Sequence, residues 1–172
     1  MKWIINYMKH LYLISGTMGV GKTTTCQIMK KKLNSSVFLD GDWCWDMDPF
    51  IVNDETKKMV INNICFLLNN FIETSVYENI IFCWVMHEQS IIEDILARLN
   101  TENCNLHLIS LVCDKESLKN RLEKDIDKGV RTEDIINRSL ERLKLYENLL
   151  TQKVDVSRLT PREVADYIII NC

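Results

Sequence analysis

Gly16-Thr17-Met18-Gly19-Val20-Gly21-Lys22-Thr23 decides how this chain is read, because it matches Gly-x4-Gly-Lys-Ser/Thr in full. Glycines permit positive φ and close backbone approach, so successive N–H groups turn inward around a phosphate chain. Lys22 is then placed to reach the β- and γ-phosphates, and the Thr23 hydroxyl to take a Mg2+ coordination position. A helix starting at Lys22 adds free amides and the positive end of its dipole. Gly16 through Thr24 is therefore the expected ATP-binding loop. Such a loop needs a strand before it and a helix after it. His10–Ser15, with Leu-Tyr-Leu-Ile at its centre, reads as the strand, and Lys22 to about Leu33 as the helix.

Downstream, Val37–Leu39 reads as a second strand ending in Asp40-Gly41-Asp42. Val60, Ile64, Leu67, Leu68 and Phe71 fall at i, i+4, i+7, i+8 and i+11, which predicts an amphipathic helix over Asp54–Val76. Asn79–Met86 is a continuous β-rich run and hence an interior strand. A helix over Glu88–Asn100, a strand at Leu106–Val112, helices over Lys115–Lys128 and Thr132–Leu150, and a short strand at Val154–Val156 follow. Thr160-Pro161-Arg162-Glu163 opens the last helix with an N-cap, a proline at the first helical position and a capping box. Five strands separated by helices mean βαβ units, so the expected fold is an α/β sandwich with a parallel sheet covered on both faces.

At 172 residues the chain has the length of one domain. With 47% apolar and 26% charged residues it is ordinary globular material, which excludes a disordered or low-complexity chain. A formal net charge of −3 offers no footprint for duplex nucleic acid. The longest uncharged apolar run, Ile80–Met86, is far too short for a membrane span. Seven cysteines, odd in number and never spaced Cys-x-x-Cys, read as reduced thiols of a cytoplasmic protein. Residues 1–7 are expected to form a disordered extension outside the fold.

Asp40-Gly41-Asp42 lies at the carboxyl end of the second strand, the edge where open α/β sheets bind ligands. Two carboxylates there suit two tasks, holding Mg2+ through water and accepting the proton of an attacking hydroxyl. The alternative is a plain turn, since Asp and Gly are common turn residues. The third strand, Ile81-Phe82-Cys83-Trp84-Val85-Met86, carries no acid, which argues against a motor or AAA-type ATPase. Trp43 and Trp45 are candidates for a stacking wall against a planar acceptor, or else for caps on the core. His87 reaches the same edge as a candidate contact to acceptor or γ-phosphate.

With these features the chain resembles the small P-loop kinases of the nucleoside-monophosphate-kinase-like group, which includes adenylate, shikimate and gluconate kinases and the chloramphenicol phosphotransferase. The resemblance implies a five-stranded sheet of order 2-3-1-4-5 with a small helical lid. Asp40-x-Asp42 resembles the shikimate kinase pair, which implies Asp40 for magnesium and Asp42 for the acceptor hydroxyl. Leu118-x-x-Arg121-Leu122 resembles the start of the lid, implying that Arg121 stabilises the transferring phosphoryl. Val154-Asp-Val-Ser-Arg-Leu-Thr-Pro161 is similar to the turn that holds adenine, which brings in Arg158 and Leu159. Where such lids carry a second arginine this chain has Asp125, and Arg131 or Arg138, beyond Gly129, is the expected replacement. Arg131, Arg138 and Arg142 share one helical face. Residues 115–138 are the expected mobile lid, ordered by ATP and Mg2+.

The first functional expectation is thus an ATP- and Mg2+-dependent phosphotransferase acting on a small-molecule hydroxyl. A nucleotide kinase is the second, and it needs an arginine to clamp the acceptor's own phosphate. Between Asp40 and Asn79 there is no arginine, only Lys57 and Lys58. A non-enzymatic ATP-binding sensor module is the third.

Overall fold

The computed structural model describes residues 8–172, so the expectation for residues 1–7 lies outside the described residues. In chain order the elements are β1 (Lys9–Gly16), α1 (Lys22–Lys32), β2 (Ser36–Asp40), a 3-10 turn (Gly41–Trp45), α2 (Asp54–Glu73), β3 (Asn79–Trp84) and α3 (Gln89–Ala97). Then come β4 (Cys104–Val112), α4 (Lys115–Asp127), α5 (Ile135–Leu143), a second 3-10 turn (Lys144–Asn148), β5 (Gln152–Asp155) and α6 (Pro161–Asn171). All paired strands run parallel, in the order β2-β3-β1-β4-β5.

Strand alternation sorts the core into two layers. Leu11 and Leu13 of β1 face α2 and α3, where Val60, Ile64, Leu68, Ile92 and Ile95 are buried. Tyr12 and Ile14 face the other way, toward Cys26 and Met29 of α1, Val164 and Ile168 of α6, and Leu118 and Leu122 of α4. Register puts Leu11 beside Ile80 of β3 and Leu106 of β4, so β1 is the central strand. The loop after β1 consequently leaves the middle of the sheet at its carboxyl edge, where crossovers to both sides open a crevice.

Capping chemistry sets the helix starts. Asn53 and Thr56 close a reciprocal box at the start of α2, and Thr160 and Glu163 do the same for α6 with Pro161 just inside. α2 ends at Glu73, short of Val76, where Thr74 turns to an extended backbone with φ −72° and ψ 118°. The single helix expected over Thr132–Leu150 is corrected to α5 followed by a 3-10 turn. Leu143, Tyr146 and Leu149 are all buried at three-residue spacing, which a helix of three residues per turn aligns and one of 3.6 does not. Among the described residues no helix is long and apolar enough to cross a membrane.

Candidate active site

The loop that joins β1 to α1 is built on left-handed glycines. Gly19 sits at φ +79°, and a Cβ there would lie 2.4 Å from Leu122 Cδ2, so α4 rests directly on the loop. Lys22 Nζ donates to Gly16 O (2.9 Å) and Thr17 O (3.0 Å), folding back along the loop's own backbone. Burial pulls its pKa below the ordinary lysine value, opposed by Cys83, Asp42 and Asp40. Thr17 Oγ1 is buried and donates to Ser139 O at 3.0 Å, tying the loop to α5.

β2 delivers the acidic turn to the same place. Thr23 Oγ1 donates to Asp40 Oδ2 at 2.7 Å, and the Asp42 amide donates to Asp40 Oδ1 at 3.1 Å. Asp40 is buried, whereas Asp42 is exposed. Protein around it desolvates the Asp42 carboxyl and raises its pKa, with Asp40 adding to the effect and Lys22, Trp84 and Arg131 opposing it. Gly41 is held flat against Trp84, since a Cβ on it would meet the indole Cγ at 2.5 Å. Trp84 thus forms a shelf under the turn, at the end of the strand where the sequence shows no acid.

A cavity of about 670 Å³ runs past these groups. Its phosphate end is walled by Met18 through Thr25, with Asp42 beside them. Arg121, Lys124, Asp125, Lys128 and Arg131 form a second wall, and Val156, Leu159, Pro161 and Val164 an apolar end fit for a base. Arg121 Nη1 donates to Val20 O at 2.9 Å and Nη2 to Val156 O, so this guanidinium clasps the loop to the turn after β5.

Several expected residues stand elsewhere. Arg138 pairs with Asp134 one helical turn back at 3.3 Å and does not line the cavity, nor does Arg158. His87 stays with its neighbours, its ring nitrogens 3.5 Å from Val85 O and from Glu88 Oε1. Trp43 lies edge-on to Phe38 and lines a separate groove of about 460 Å³ with Met47, Met59 and Phe66. Trp45 packs against the α2 side of the core and tilts on Phe50. Neither tryptophan lines the cavity, because the 3-10 turn carries both away from it.

Lys124, Lys128 and the Trp84 shelf were not singled out from the sequence, whereas Arg142 was. Lys124 and Lys128 follow Arg121 at i+3 and i+7, a basic stripe that helical spacing alone would have shown. Arg142, from the arginine face of α5, is the one whose Nη1 approaches the loop, 4.0 Å from Met18 Sδ. The Trp84 shelf had no sequence signal, since it depends on the register of β2 against β3.

The AAA domain family matches residues 13–144. The chain belongs to this family. The match concerns the family and does not test the expectation, drawn from the acid-free third strand, that the chain is no motor or AAA-type ATPase; β3 does end at Trp84. No curated protein sequence matches the chain. Among solved structures, this AAA-domain protein is similar to the tunicamycin resistance protein of Deinococcus radiodurans, with a TM-score of 0.71, 18% identity, and 94% of each chain covered. It is similar to a gluconokinase from Sinorhizobium meliloti 1021, with a TM-score of 0.69, 14% identity, and 95% and 91% of the chains covered. The shikimate kinase of Acinetobacter baumannii in complex with shikimate matches at a TM-score of 0.63 and 19% identity, over 95% and 92%. The fold is that of the P-loop kinases.

Proposed function

We propose that this AAA-domain protein is an ATP- and Mg2+-dependent phosphotransferase acting on the hydroxyl of a small molecule, a metabolite or antibiotic-like compound. The observation that carries the reading is one cavity in which the glycine-rich loop, Asp42 and a wall of cations meet. The gluconokinase and shikimate kinase of the same fold support it, as does the tunicamycin resistance protein for an antibiotic-like acceptor.

Thr23 and Asp40 fit Mg2+: their hard oxygens already stand 2.7 Å apart, and Mg2+ is commonly held by one or two protein ligands plus phosphate oxygens and water. When bound, Mg2+ neutralises charge on the phosphates. Lys22 and the loop amides bind the phosphate chain, and Leu159 and Val164 cover the base. Asp42 accepts the proton as the acceptor oxygen bonds to the γ-phosphorus and the bond to the bridging oxygen breaks. Arg121 keeps the loop against the base-binding turn, and Arg131 supplies positive charge to the transferring group.

Incubation with ATP, Mg2+ and a panel of metabolites, nucleosides and antibiotics is expected to yield one product heavier by a phosphoryl group in mass spectrometry. ATP binding without any such product across the panel would reject the kinase and favour the sensor module.

A lid is part of this reading. Leu118 and Leu122 are fully buried beneath the loop, which anchors the first two turns of α4 more firmly than its narrow apolar stripe suggested. Motion is therefore expected beyond Leu122, to Arg138. Without nucleotide this segment should exchange amide hydrogens faster than Cys104–Val112, and an unhydrolysable ATP analogue with Mg2+ should slow it. Equal protection of the two segments without ligand would mean that there is no lid.

A further inference from the structure

The end of α4 is closed by a specific turn. Gly129, at φ +69°, donates to Ile126 O at 2.8 Å, and Val130 N donates to Asp125 O at 2.9 Å. This is the Schellman arrangement, which needs a left-handed residue and reverses the chain. The reversal returns Arg131 over the last turn of the helix, where its Nε donates to Asp125 Oδ2 at 3.2 Å. Both side chains line the cavity.

Stability does not account for this pair. Its two side chains are about a third exposed, 33% and 37%, and ion pairs in such positions contribute little to stability. Electrostatics makes the acid conspicuous. Arg121, Lys124 and Lys128 give the same wall the charge that a polyphosphate needs, and a free carboxylate among them would oppose it. Bonding through Nε consumes the carboxylate's charge and sets the plane of the guanidinium. Among the described residues neither Nη group has a hydrogen-bond partner, which leaves both NH2 groups, four N–H donors in all, for the cavity. Arg131 lines the same cavity as Asp42 and the glycine-rich loop.

We propose that Asp125 is a positioning residue: it holds Arg131 by Nε so that the two Nη groups meet the terminal phosphate of a bound nucleoside triphosphate. The Gly129 turn sets the distance between the two. The proposal rests on the phosphotransferase reading for the identity of the ligand, but its test does not require turnover.

The affinity of the full chain for AMP-PNP and for ADP, each with Mg2+, is measured by calorimetry. The parent is expected to prefer the triphosphate analogue. Arg131→Ala should lower that preference roughly tenfold, the scale of one charge-assisted hydrogen bond. Asp125→Asn should lower it in the same direction, and have no further effect when Arg131 is already alanine. Asp125→Glu should recover part of the loss. If Asp125 merely repelled phosphate, its removal would raise the preference instead. A rise, no change, losses that add in the double variant, or a parent without preference would each overturn the proposal. A retained preference that depends on both residues, with no acceptor phosphorylated, would support the positioning role and count against the kinase reading alone.

Discussion

Asp42→Asn is expected to lower phosphoryl transfer by about 10²–10⁴, the usual contribution of a positioned acid–base group. The amide keeps the size of the carboxyl and leaves Gly41 on its Trp84 shelf, so the turn is preserved. It cannot accept the hydroxyl proton. Affinity for ATP with Mg2+ should stay within about a few-fold, because Lys22, Thr23 and the loop amides are untouched. The pH dependence has a definite sign. Burial and Asp40 raise the Asp42 pKa, and the working form is the deprotonated one. Parent activity should thus be full above that raised pKa and be lost as pH falls through it, at higher pH than for an ordinary aspartate. Steady-state kinetics with the identified acceptor across the acid range is the measurement. A variant that keeps its rate to within about threefold would remove Asp42 from the chemistry.

Gly19→Ala is expected to destabilise the fold and weaken nucleotide binding together. At φ +79° an L-residue costs about 1–2 kcal/mol. The added Cβ would also fall 2.4 Å from Leu122 Cδ2 and 2.9 Å from Cγ, and overpacking of this kind costs about 1–3 kcal/mol. At roughly 2–4 °C per kcal/mol for a domain of this length, the melting temperature should drop by about 4–20 °C. The loop amides move with the backbone, so affinity for the ATP analogue falls as well. Leu122→Ala separates the two causes. Alone it leaves a cavity worth about 2–5 kcal/mol, but combined with Gly19→Ala it removes the clash. The double variant should be more stable than the sum of the single losses predicts. Additive losses, or an unchanged melt for Gly19→Ala, would show that α4 does not bear on the loop as described.

Legibility differed between the two ends of the site. The loop end of the site was legible because each residue's expected place follows from local spacing. Glycines, a lysine and a threonine within eight positions can do little else after a strand, and the structure places Lys22, Thr23 and the loop together. The acidic turn was readable for the same reason, since a strand end fixes its own direction. The acceptor side was not. Trp43 and Trp45 follow Asp42 immediately in sequence, yet a five-residue 3-10 turn carries them out of the cavity that Asp42 lines. Adjacency along the chain says nothing about which side of a tight turn a side chain leaves.

By itself the sequence determined the strand succession, the parallel sheet, the loop and the capped last helix, because periodicity, capping and turn chemistry act within a few residues. Only the tertiary structure decided which cations line the cavity. Arg121, Arg131, Arg138 and Arg142 are alike as residues, and what separates them is the carbonyl, acid or sulfur that each meets. Those partners lie up to 124 residues away along the chain, brought close by the packing of α4 and α5 on the loop. A charged side chain's role is set by what neutralises it, and that neighbour exists only in the folded molecule.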